Sequence, residues 1–502
     1  MKSIEGSRTR DLRRIARRSC EIALVAVCLG ANSFALAQTI KLTPKQGHPS
    51  ANSKVGGSGF GASEAVDIYF DTTDMLLVVA SADGRLSQHS WTVPAGALPG
   101  VHWVTAIGRK TGDAAQVAFT VSTDWAEHGF NAHGKRFNPY ENVLATSNVA
   151  RLDIAWKGLT AANLSSSAAV AGSSAYVGAP DGKLYAFDAT TGAGKWTAVT
   201  GGAISSSPAV SGGAVYVGSD DHNLYAFNAA TGGAMWTAPA ASPVNGSPAV
   251  AGGTVFFTDD SHDLYAVNAT TGAQLWHVLT GVSAHNTSPA VVNGVVFIGT
   301  TTGQVYAFDP ATGGGIWTSS TVDPIVGAPA VANGVVYVGC DGGDLIAFNA
   351  VTGAKLWTAT TGGDIWGSPA YMNGVVIVGS ADGKVYAYNA ATGAPVWTSA
   401  VLGATVSSPA VANGVVYIGT DNNTVYGLNA ATGATLWTAT TGNVVRSSPA
   451  VTNGMVYVSS FDGNLYDYAL NGGSDAAYKR DRQPPSFATL HPDRRLRPAP
   501  AE

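Results

Sequence analysis

Cysteine is almost missing from this chain. Cys20 and Cys28 fall within the first 37 residues and only Cys340 comes after them, so the remainder can form no internal disulfide and must rely on a large apolar core. Also missing, beyond residue 37, is any apolar stretch long enough to span a bilayer. The glycine-rich run Gly56-Gly57-Ser58-Gly59-Phe60-Gly61 has no Gly-Lys-Ser/Thr and no helical pattern behind it, which makes it a turn and not a phosphate loop. No His/Cys cluster has zinc spacing, and His222 and His262 occupy equivalent positions of a repeat, which reflects duplication. Basic charge is short as well. Residues 1 to 37 hold seven Lys/Arg and three Asp/Glu, and the rest holds 21 and 30, a net charge of −9. That balance argues against nucleic acid as a partner.

What is present begins with Lys2, Arg8, Arg10, Arg13, Arg14, Arg17 and Arg18, then a short apolar core over Ile22 to Ala31 and the small residues Ala35-Leu36-Ala37. This order predicts an export signal over residues 1–37, cleaved ahead of Gln38, and a periplasmic or extracellular product with no membrane anchor. Residues 39–122 show short alternating segments such as Ala65 to Phe70 and Val101 to Ile107 between Gly/Pro turns, the pattern of a small β-sandwich. The run from Leu42-Thr43-Pro44 to Tyr69-Phe70-Asp71 resembles bacterial immunoglobulin-like modules. Residues 123–147 read as a linker that enters a long repetitive region. Residues 474–502 combine several basic residues with five prolines and little apolar content, a disorder signature.

Within the repetitive region tryptophan recurs at Trp156, Trp196, Trp236, Trp276, Trp317, Trp357, Trp397 and Trp437, at intervals of 40 residues with one of 41. Each interval carries a Ser-Pro-Ala-Val element, a Val/Tyr-rich run, an Asp/Asn/Gly turn and a run like Leu-Tyr-Ala-Phe-Asn. Four short strands fit and a helix does not, so the fold class is all-β with four-stranded blades. The Pro-Ala or equivalent element occurs eight times, yet the last unit has no tryptophan strand and Asn148 to Lys157 supplies a spare one ahead of the first. The count predicts an eight-bladed β-propeller over residues 148–470, closed by pairing both ends in one sheet.

The element Ala-x-Asp/Asn-x-x-Thr-Gly-x-x-x-Trp, complete from Ala186–Trp196 to Ala387–Trp397, resembles the tryptophan-docking motif of eight-bladed quinoprotein propellers. Asp124-Trp125, Arg136-Phe137-Asn138-Pro139 and Asn148-Val149-Ala150 are similar to the segment that leads into those propellers. The motif implies a structural role for all eight periodic tryptophans, each indole lying over neighbouring backbone between blades.

Loops before the Ser-Pro strands and between the second and third strands share one face and vary between units, which is where a ligand site is expected. Three residues before each proline or its equivalent stand Ser165, Ser205, Asn245, Asn286, Val326, Trp366, Val406 and Arg446. Trp366 offers a stacking surface, Arg446 an anion contact, and Asn245, Asn286 and His285 hydrogen bonds; the plainer alternative has Trp366 filling the channel and Arg446 paired with an aspartate. Aspartates crowd the same face, among them Asp220, Asp221, Asp260, Asp341 and Asp462, most of them in turn positions.

Three function classes remain. The resemblance implies either a quinoprotein alcohol or sugar dehydrogenase holding pyrroloquinoline quinone (PQQ) and Ca²⁺, or a non-enzymatic scaffold similar to the periplasmic propeller of the barrel-assembly machinery. Carbohydrate or cell-surface binding is the third. Active quinoproteins commonly carry adjacent cysteines over the quinone, which this chain lacks, and their blades carry large insertions where these are bare. The scaffold, a monomer that contacts other envelope or extracellular proteins, without catalytic residues, metal or confident cofactor, is the favoured expectation.

Overall fold

Asn-Gly and Gly-Gly pairs set the geometry of seven of the eight blades. Asn293 and Gly294 take φ of 50° and 76°, the left-handed pair that a two-residue hairpin turn demands and that twists its strands the right way. The computed structural model describes residues 38–160, 163–261, 263–280, 287–400, 402–474, 484–486 and 490. Residues 1–37, the expected export signal, and most of the C-terminal stretch lie outside them.

Eight blade sheets succeed one another along the chain, seven of them four-stranded and the seventh blade widened to five by Phe137–Asn138, each with its blade strands in sequence order except the last. The second blade is typical, with strands Ala209–Ser211, Ala214–Ser219, Asn223–Asn228 and Ala234–Pro239. In the eighth, Leu152–Leu159 pairs antiparallel with Asn464–Leu470, Leu152 opposite Leu470 and Leu159 opposite Asn464. The ends of the repeat therefore close a single sheet, which joins the ring of blades.

The periodic tryptophans join neighbouring blades. The indole N–H of Trp196 donates to Ala229 O at 3.1 Å, that of Trp357 to Ala390 O at 3.1 Å, and that of Trp437 to Leu152 O at 2.9 Å across the closure. All but the Trp437 ring lie over the Thr-Gly turn of the next blade. A Cβ on Gly232 would stand 2.6 Å from the Trp196 ring, and Gly232 also holds φ of 72°, so both space and backbone require glycine there. The turn is held by its first residue: Asn228 Oδ1 accepts from Ala230 N, Thr231 N and Thr231 Oγ1 at 3.0 to 3.1 Å. The docking is less uniform than the shared motif implies. Among the periodic tryptophans only Trp156, Trp397 and Trp437 are buried; the other five are half-buried.

Residues 38–122 form two sheets. One contains Thr39–Thr43, Asn52–Ser58 and Arg85–Thr92, and the other runs in the order Gln46–Gly47, Ala114–Val121, Gly100–Gly108, Ala65–Phe70 and Thr73–Val79. Phe70, Trp91 and Phe119 meet in their core. His48 stacks on Tyr140 at 3.7 Å, and Asn142 Nδ2 donates to Ala97 O at 2.9 Å. Part of the C-terminal stretch is also placed on this unit: Leu490 packs with Tyr69 and Ile107, and Gln116 Nε2 donates to Pro485 O at 2.9 Å.

Candidate functional site

The inner strand of every blade presents its backbone N–H groups to the central channel, where they need acceptors. Residues 123–138 supply them in the first seven blades. Val170 N donates to Trp125 O, Val210 N to Ala126 O, Val291 N to Ala132 O, Val331 N to His133 O, Tyr371 N to Lys135 O and Val411 N to Arg136 O, at 2.7 to 3.3 Å. In the third blade Val250 N donates to Glu127 Oε1 at 3.4 Å, and in the eighth Asn138 Nδ2 donates to Val451 O at 2.8 Å. The segment read from sequence as a linker is therefore a plug that meets all eight blades in chain order. Its tight course depends on Gly134, at φ of 65°, where a Cβ would stand 2.7 Å from Pro329 O.

Arg136 holds the plug together. It is fully buried, with Nε donating to Pro409 O at 2.8 Å, one terminal nitrogen to Pro449 O at 3.2 Å and the other to His128 O. Its guanidinium lies over the Trp125 ring at 5.7 Å. Burial pushes the Arg136 pKa down to about 9, pushes the Glu127 carboxyl up to about 8 and, together with the Arg136 charge, pushes His128 down to about 3.

Glu127 makes stability depend on pH. Its folded pKa lies above the unfolded value, so the folded state binds the extra proton, and stability present at low pH is lost as pH rises from about 4.5 through about 8. His128 acts oppositely but only below its ordinary value of 6.5. Between pH 6.5 and 8 the wild-type unfolding free energy should fall by up to about 1.4 kcal/mol per pH unit relative to Glu127→Gln. Denaturant titrations across that window check this; parallel profiles for the two proteins count against it.

Above the plug the channel is ringed by serines. Ser167 N donates to Ser207 Oγ, Ser207 N to Ser247 Oγ and Ser247 N to Ser288 Oγ, and the chain resumes as Ala328 N to Ser368 Oγ, Ser368 N to Ser408 Oγ, Ser408 N to Ser448 Oγ and Ser448 N to Ser167 Oγ, all at 2.8 to 3.0 Å. Ala328 alone breaks the ring of hydroxyls. The Ser-Pro element was legible in sequence, but its bond from blade to blade was not, because that depends on how neighbouring sheets approach.

The mouth lies above the serines. Ser165, Ser205, Asn245, Val326, Trp366, Val406 and Arg446 line one cavity of about 490 Å³ with the serine ring, His128 and Phe461. Candidates Trp366, Arg446 and Asn245 are thus brought together; His285 and Asn286 lie outside the described residues. Arg446 is committed to Asp421, its Nε and a terminal nitrogen donating to the two carboxylate oxygens at 3.0 and 3.1 Å. Asn245 Nδ2 donates to Asp260 Oδ2 at 2.9 Å. Many loop aspartates are turn locks. Burial opposes ionisation of Asp221, yet hydrogen bonds from Tyr225, Asn223 and Gly201 hold its carboxyl below the usual range. Among the described residues no group of three or more His, Cys, Asp or Glu is placed to hold a metal. Cys340 is free and buried, and burial pushes its thiol up to about 12.

The PQQ_2 family, described as outer membrane protein assembly factor BamB, matches this chain over residues 142–278, 180–313, 262–365 and 381–490. The chain belongs to this family. Its PQQ_2 repeats overlay those of BamB from Moraxella catarrhalis at 21% identity and a TM-score of 0.57, over 63% of this chain and 99% of that one. A quinohemoprotein alcohol dehydrogenase, ADHIIG from Pseudomonas putida HK5, aligns at 16% identity and a TM-score of 0.61, over 72% and 82%. The computationally designed Ika8 protein aligns at 17% identity and a TM-score of 0.57, over 62% and 98%. At these identities the structures share the fold of the PQQ_2 propeller with this chain, and no more. A search of curated proteins finds no match.

Proposed function

We propose that this PQQ_2 protein is an exported, non-enzymatic propeller that acts as a binding scaffold in the cell envelope. The observation that carries the reading is the build of the channel, within a chain whose family is described as an assembly factor. PQQ is a flat tricarboxylate, and binding it with Ca²⁺ calls for uncommitted cations and converging oxygen ligands. The described residues do not fit that group: Arg446 is already neutralised by Asp421, no metal-holding cluster is present, and the wall is a belt of serine hydroxyls. No helix among the described residues is long and apolar enough to cross a membrane.

The reading predicts that purified protein titrated calorimetrically with PQQ and Ca²⁺ shows no stoichiometric uptake, and that dye-linked oxidation of alcohols or aldoses is absent. Uptake of one quinone per chain, lost on Trp366→Ala, overturns it in favour of a dehydrogenase. A photo-crosslinking residue in place of Arg446, compared with one in place of Val351 on the far face, then asks whether the loop face meets a discrete protein.

A further inference from the structure

The channel mouth has two chemically different halves. Val326, Trp366 and Val406 come from three consecutive blades and form an apolar arc, whereas Arg446, Ser165, Ser205 and Asn245 continue the circle as a polar one. Trp366 leaves a ring in the wall of the cavity. A ligand that suits this circle has one apolar face and one hydrogen-bonding edge.

The polar atoms say which kind of edge. Each serine of the ring accepts a backbone N–H, and among the described residues its own hydroxyl proton has no acceptor, so the belt offers donors to the channel. Two further buried atoms lining the same cavity have no hydrogen-bond partner among the described residues, Asn245 Oδ1 and His128 Nδ1. Asn245 Oδ1 can only accept. An anion, which only accepts, would satisfy the serines and leave Asn245 Oδ1 orphaned, at the cost that an unpaired buried polar group carries. Hydroxyl groups both donate and accept, and satisfy both. Charge agrees, since among the described residues the one guanidinium at the mouth is held by Asp421 and the loops around it are rich in aspartate.

We propose that the blind channel above residues 123–138 is a binding site for a neutral sugar, one pyranose ring stacking its C–H face on Trp366 between Val326 and Val406 while its hydroxyls meet Asn245 and the serine belt. The cavity, at about 490 Å³, lies in the range of small-ligand pockets. The plug closes the far end, so the sugar enters from the loop face only. This inference goes beyond the scaffold reading and does not depend on it.

The test uses the full mature chain and saturation-transfer NMR with glucose, N-acetylglucosamine, maltose and cellobiose, against inorganic phosphate and succinate as acceptor-only probes. At least one sugar should bind once per chain with a dissociation constant of about 1 mM or tighter. Trp366→Ala should weaken it by about tenfold or more, and Trp366→Phe should keep most of the binding. Asn245→Leu, read beside the thermal midpoint of each variant, serves where Trp366→Ala fails to fold. A tetrasaccharide of the bound sugar then separates a free sugar from the end of a glycan. The proposal is overturned if no sugar binds, if binding survives both Trp366→Ala and Asn245→Leu, or if phosphate or succinate binds in place of the sugars.

Discussion

Replacing Arg136 by methionine should lower the unfolding free energy by roughly 3 to 5 kcal/mol, measured by denaturant titration. The side chain serves Pro409 O, Pro449 O and His128 O from a fully buried position. Its removal leaves three carbonyls without a charged donor, each unmet acceptor costing about 1–3 kcal/mol. Burying the guanidinium is itself unfavourable, as its lowered pKa indicates. Relief of that cost keeps the net effect below the full sum. Arg446→Met is the control, because its pair with Asp421 is solvated and should be worth at most about 1 kcal/mol. Equal effects at the two positions would mean that Arg136 does not secure the plug.

Tryptophans of one motif should differ in the same assay. Trp437→Ala, which empties a buried site at the closure beside Tyr468 and Leu152, should cost roughly 3 to 5 kcal/mol. Trp357→Ala should cost less, about 2 to 3 kcal/mol, because that residue is only half-buried. A reversed order would show that burial does not govern the contribution of these indoles.

Blade number and closure were legible because periodicity is a property of sequence itself. The spare strand at Trp156 and the missing one after Tyr468 pointed to the pairing now seen between Leu152–Leu159 and Asn464–Leu470. The unequal exposure of the tryptophans was not legible, since identical motifs sit against different neighbours. The plug escaped notice for a different reason. Its contacts run through the carbonyls of Trp125, Ala126, Ala132, His133, Lys135 and Arg136, and a carbonyl leaves no mark on residue type. Within the candidate site, Trp366 and Arg446 stood out as departures from a repeat. The serine belt did not, because a recurrent Ser before Pro reads as turn chemistry until the blades are placed side by side.

The way residues 123–138 visit the blades bears on how such a ring can evolve. Propellers grow by copying whole units, and a further copy of 40 residues would carry its own tryptophan and docking turn, ready to join its neighbours. It would find no carbonyl waiting at the axis. A segment of fixed length that feeds one acceptor to each of seven inner strands and a donor to the eighth works as a tally, and the tally stops at eight. Duplication in this lineage is therefore checked by a stretch outside the repeat, so gain or loss of a blade must be matched by a change in the length of that stretch.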